Sequence, residues 1–133
     1  MGHSITLRRR LTHGMIGVAL LTSASCGLLD SVDLRLIPIA RIDVASTIQR
    51  GDSALVVFFY PSPCYHSRRL YVETERDTIR WALMANYVSR PCTDNVVPDS
   101  FYTPIDPGRA GDFILSYKYY DSTVILPLTI TEP

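Results

Sequence analysis

Beyond residue 30, no run of twelve residues holds a convincing helical period; apolar side chains instead alternate with polar ones in short runs punctuated by Gly, Pro and Asp, which favours strands over most of the chain. Leu34, Leu36, Ala40, Ile42 and Val44 share one parity and Asp33, Arg35, Arg41 and Asp43 the other, so one or two half-buried edge strands broken at Pro38 are predicted. Gly51-Asp52 turns the chain into Ser53–Tyr60, whose run Leu55 to Phe59 is apolar on both parities, as in a central strand; Pro61 and Pro63 end it. Leu70, Val72 and Thr74 alternate with Tyr71, Glu73 and Glu75, and a tight Arg76-Asp77 link leads to Ile79, Trp81 and Leu83 on one face, a hairpin. Residues 79–87 also hold the helix formers Ala82, Leu83, Met84 and Ala85, so strand and helix both stay open there. Pro91, Pro98, Pro104, Pro107, Gly108 and Gly111 make residues 89–111 mostly loop, with a short strand near Phe101–Thr103. Phe113, Leu115, Tyr117 and Tyr119 alternate with Ile114, Ser116 and Lys118, and Val124, Leu126, Leu128 and Ile130 follow the turn at Asp121-Ser122.

The chain's 133 residues allow one domain. About seven short strands predict an all-β, antiparallel two-sheet sandwich over residues 33–133 with Trp81 packed in its core near a Cys64–Cys92 bridge. A small barrel is the alternative. The chain carries 13 Lys+Arg and 13 Asp+Glu, but Arg8, Arg9 and Arg10 stand alone before Asp30, so the remainder is net 10 − 13 = −3. A nucleic-acid footprint is not expected of it.

Residues 1–25 have the three parts of an export signal: the three arginines, an apolar stretch Met15–Leu21, and small residues Ser23, Ala24 and Ser25. Even extended to Leu29 the apolar stretch is short of the roughly 20 residues that a spanning helix needs. Ser23-Ala24-Ser25-Cys26 resembles the lipobox of bacterial lipoprotein signals. The resemblance implies that Cys26 is acylated and becomes the mature N-terminus, with residues 26–32 as a tether. Cleavage by the ordinary signal peptidase would instead leave Cys26 a free thiol. Each buried methylene contributes about 0.8 kcal/mol, so several acyl chains hold a protein durably to a bilayer. By the same resemblance, Gly27 after the lipidated Cys implies sorting to the outer membrane of a Gram-negative cell, facing the periplasm or the cell surface.

With Cys26 given to lipid, Cys64 and Cys92 remain, and in an exported chain they are expected to pair. The layout over residues 40–131 is similar to small immunoglobulin-like domains of bacterial lipoproteins. The residues that carry this are Gly51-Asp52 before a hydrophobic strand, Cys64-Tyr65 after it, Asp77-Thr78-Ile79, Cys92-Thr93 with Val97-Pro98, and Pro107-Gly108. The resemblance implies a fold and brings no function with it.

A hydrolytic triad needs a base, and a zinc site usually needs two or more His or Cys ligands. After the signal the chain has one histidine, His66, and one lysine, Lys118. No catalytic residue, metal or cofactor is therefore assigned, and the chain is expected not to be an enzyme. Glu73 and Glu75, about 7 Å apart along a strand, read as a solvated face rather than a glycosidic pair. Tyrosine is the one excess, with eight, and aromatic faces with a polar tip suit protein or sugar contacts. Tyr65, His66, Arg68, Arg69, Tyr117, Tyr119 and Tyr120 form the candidate binding surface. The expected function is a non-catalytic, membrane-anchored module that binds protein or glycan. The alternative is an inhibitor of an exported protease that inserts a Pro-rich loop, residues 95–109, into a cleft.

Overall fold

The computed structural model describes residues 32–133. The expected signal, Cys26 and nearly all of the expected tether lie outside these residues. The described chain forms nine strands and no helix: β1 (Val32–Ile37), β2 (Ile39–Asp43), β3 (Thr47–Gln49), β4 (Ser53–Tyr60), β5 (Tyr65–Glu75), β6 (Thr78–Val88), β7 (Val97–Pro104), β8 (Gly111–Tyr119) and β9 (Ser122–Thr131). They form a six-stranded sheet, ordered β1-β6-β8-β9-β3 with β5 also on β6, and a three-stranded sheet ordered β2-β4-β7. The two share one core, in which Val56, Phe58 and Ile42 of the small sheet meet Trp81, Leu83, Phe113, Leu115 and Tyr117 of the large one.

Pro38 has a topological consequence. It interrupts the first strand, and the chain changes sheets there: β1 pairs with β6, and β2 pairs with β4. The alternation across this segment does not map onto one buried face. Leu34 and Leu36 lie opposite Asn86 and Met84 and point outward, 45% and 47% exposed, whereas Ile37, Ile39 and Ile42 are buried.

The expected all-antiparallel pairing is corrected in two places. β3 pairs with β9 and β6 with β8 in parallel. The second follows from the path of the chain, which leaves β6, runs through β7 in the opposite sheet and crosses back over the core to β8. β5 occupies one edge of β6 along most of its length. The other edge is therefore divided, with β8 on Thr78–Trp81 and β1 on Leu83–Val88.

β4 is the centre of its sheet, as its sequence predicts, but only one of its faces is covered. Ala54, Val56 and Phe58 are wholly buried, while Phe59 is 37% exposed. Residues 79–87 are strand throughout. Here Ile79, Trp81, Leu83 and Ala85 fill the core at every second position, and that period overrides the local helix formers.

The stretch expected to be mostly loop contains β7, which pairs with β4 over its whole length. Its prolines are tolerated because β7 is an edge strand. Pro98 and Pro104 share a parity with Ser100, whose amide donates to the Asp99 carboxylate at 2.8 Å rather than into the ladder.

Candidate functional site

Two of the three cysteines define one end of the molecule. Cys64 ends the Pro61-Ser62-Pro63 link after β4, Cys92 follows β6, and the two are joined in a disulfide with Cα atoms 5.8 Å apart. The Val88 amide donates to the Cys64 carbonyl at 3.1 Å, so the bridge is tied to the end of β6. Trp81 is in the core but not near the bridge as expected, because it lies seven residues back along β6, about 23 Å at roughly 3.3 Å per residue. Because β1 runs antiparallel to β6, Val32 lies opposite Val88 at this same end.

Tyr65, the first residue of β5, sits across from Tyr87 with ring centroids 5.0 Å apart, and the Arg35 guanidinium lies 3.7 Å from the Tyr87 ring centre. A cation over an aromatic face is attracted by the ring quadrupole. Arg35 also meets Asp33 at 3.5 Å. His66 is exposed beside this pair, opposite Asn86.

The register of β5 against β6 then slips between His66 and Arg69, with Ser67 at φ 55°. This bulge decides where the two arginines go. Arg68 is re-aimed across the gap between the sheets: it pairs with Asp99 of β7 at 3.1 Å, and its guanidinium stands 4.7 Å from the Phe101 ring centre and 5.7 Å from that of Phe58. Arg69 lies opposite Met84 on the outer face of the large sheet. The two adjacent arginines of the candidate binding surface are thus parted: Arg68 spans the two sheets, and Arg69 belongs to the outer face.

The remaining candidates also separate. Tyr119 and Tyr120 stack edge to face at the β8–β9 turn, centroids 4.9 Å apart, 43% and 65% exposed. Tyr117 is no part of a surface. It is 5% exposed because it continues the inward parity of Phe113 and Leu115, which the same alternation marks in the sequence. Burial raises the Tyr117 pKa above its ordinary value near 10, opposed by a backbone hydrogen bond at Ile42.

The folded state therefore holds the Tyr117 proton more tightly than the unfolded state. The corresponding stability is intact below the unfolded pKa and is lost as pH rises past about 10. In urea titrations at pH 9 to 11, Tyr117→Phe should flatten the alkaline decline relative to the parent chain. An identical decline in both proteins would show that Tyr117 does not contribute to it.

Alternation alone did not reveal which outward residues become neighbours. An open concavity of about 570 Å³ lies on the outer face of the large sheet, lined by Tyr71, Glu73, Arg80, Ala82, Lys118 and Thr123 from four strands. Arg80 reaches Glu75 at 2.8 Å and Glu73 at 3.7 Å, and the Lys118 ammonium donates to Thr123 Oγ1 at 2.7 Å. Glu73 and Glu75 thus flank an arginine as a solvated face. Among the described residues, no three His, Cys, Asp or Glu side chains gather as a metal site.

Compared with family models, with curated proteins and with solved structures, the chain finds no match in any of the three. Any functional reading rests on its own residues.

Proposed function

We propose that this chain is a non-catalytic, lipid-anchored protein of the cell envelope, exported on residues 1–25, acylated at Cys26 and sorted to the outer membrane. Its domain is an immunoglobulin-like variant that binds a protein or glycan. The observation that carries this reading is the Cys64–Cys92 disulfide, a bond that persists in oxidising compartments, in a chain whose first 26 residues have the order of a lipoprotein signal. Support for the immunoglobulin-like form comes from the first strand dividing between two sheets that share one core. The parallel β6–β8 pairing makes it a variant.

Six peptide units separate Cys26 from Val32 and span at most about 22 Å, at 3.6 Å each. The disulfide end, with Tyr65, His66 and Arg68, would therefore face the bilayer. The concavity around Tyr71, Arg80 and Lys118, with the Tyr119-Tyr120 turn, is the surface on the flank of the domain for a partner. Of the Pro-rich segment 95–109 that the inhibitor alternative uses, residues 97–104 are paired strand.

Intact mass of the native protein should show loss of residues 1–25 and addition of acyl chains. Cys26→Ala should remove the lipid mass and move the protein from the detergent phase to the aqueous phase on phase separation. Recovery from the cytosol with Met1 retained and all three thiols free would overturn the proposal.

A further inference from the structure

β5 pairs with β6 on one side, and among the described residues no strand lies on its other side. An edge of this length exposes unpaired amides and carbonyls to any strand of matching register, and folded proteins normally guard such edges. On β5 the ladder is interrupted on one stretch, by the bulge at Ser67, and the remaining guards are the charges of Arg69, Glu73 and Glu75. From Arg69 to Glu75 the ladder is regular, and it leaves Tyr71 47% and Val72 55% exposed. The charges on this stretch are ordered rather than mixed: Arg69 lies before the centre, and Glu73 and Glu75 lie after it.

We infer that the open edge of β5 pairs antiparallel with β5 of a second copy, about a two-fold axis through Tyr71. The argument is one of register. A two-fold axis perpendicular to the sheet leaves each face on its own side, so only residues of equal parity can stand opposite one another. Centred on Tyr71, the pairing sets Arg69 against the partner's Glu73 on the outer face and Leu70 against the partner's Val72 on the inner face. Opposite charges and paired aliphatic side chains directly across a ladder are both favourable. Moving the axis to Val72 would bring Arg68 against the partner's Arg76, Leu70 against the partner's Thr74 and Tyr71 against the partner's Glu73. Moving it to Leu70 would set Arg69 against the partner's Tyr71 and Arg68 against the partner's Val72. The sequence of β5 is complementary to itself in one of the three registers.

The neighbouring strand extends the match. Arg80 flanks Glu73 on β6 at 3.7 Å, so the outer face of the pair would read Arg80, Glu73, the partner's Arg69, the partner's Met84 across four strands. On the inner face, Leu83 and Leu70 would continue into the partner's Val72 and the partner's Trp81. The two large sheets become one, and the surface of Val72 is covered. This inference stands on the described residues alone and does not depend on the lipid anchor.

The test uses the full chain in the cells that make it, wherever it is located there. Tyr71→Cys places one thiol on each side of the axis, and mild oxidation followed by non-reducing electrophoresis should give a covalent dimer that the parent chain does not give. In the same background, Glu73→Arg sets like charges opposite each other and should lower the cross-linked fraction at least tenfold, as should Arg69→Glu. The double reversal, Arg69→Glu with Glu73→Arg, restores the opposed charges and should restore the dimer, which separates lost pairing from lost folding. The inference fails if Tyr71→Cys yields no more dimer than the parent chain, or if it cross-links a different protein instead. It fails equally if Val72→Cys cross-links better than Tyr71→Cys, or if the double reversal leaves the dimer as weak as either single one.

Discussion

Replacing Phe58 by alanine is expected to destabilise the domain by about 3 to 5 kcal/mol, the range for removing a fully buried aromatic side chain. The Phe58 ring has no exposed surface, stands edge-on to Tyr60 at 5.1 Å and to Phe101 at 5.9 Å, and has the Arg68 guanidinium above it at 5.7 Å. Alanine would leave a void between the sheets that β4, held on both sides by β2 and β7, cannot easily close. Single domains are typically stable by roughly 5 to 15 kcal/mol, so the variant should lose a large part of its stability and melt at least about 10 °C lower. Phe59→Ala, one residue along on the outer face, is the control and should cost far less. Equal losses at the two positions in urea unfolding would mean that the parity of β4 is wrong.

Opening the disulfide is the second large effect. Cys64 and Cys92 are 28 residues apart, and closing a loop of this size restricts the unfolded chain by roughly 3 to 4 kcal/mol on the chain-entropy argument. The bridge also ties the link after β4 to the segment after β6, which belong to different sheets, so its loss loosens the end of the molecule that carries Tyr65 and Arg68. Cys64→Ala with Cys92→Ala should reproduce the effect of reductant on the parent chain, and reductant should then change nothing further. Thiol titration that finds both sulfurs reactive in the untreated native protein would refute the pairing.

These two effects were legible to different degrees. That Cys64 and Cys92 would pair follows from counting cysteines once residues 1–25 are read as an export signal. That Phe58 rather than Phe59 fills the core does not, because both parities of Ser53–Tyr60 are apolar and periodicity has nothing to choose between. The choice belongs to packing, since only the even positions of β4 face the large sheet. Leu34 and Leu36 show the opposite error. Their alternation looks like a buried stripe, yet pairing with Asn86 and Met84, respectively, places them outside.

The candidate site was less legible than the fold. Tyr65, His66 and Arg68 do come together at the disulfide end, but Arg69 parts from Arg68 at a bulge that no residue type announces. Tyr117 is buried by the same alternation that marks Phe113 and Leu115. The concavity around Tyr71, Arg80 and Lys118 gathers residues from β5, β6, β8 and β9. Each was readable as outward-facing along its own strand, but which strands lie side by side was not.

What the chain alone determined was therefore local and periodic: most of its strands, the break at Pro38, several turns and the paired cysteines. These depend on interactions within a few residues, where sterics and alternation act directly. Tertiary structure decided the division of β1 and β2 between sheets, the parallel crossover of β8 onto β6, the strand character of Val97–Pro104 and the open edge of β5. Each of these depends on what a strand meets across the ladder or through the core, and residues distant in sequence supply that partner.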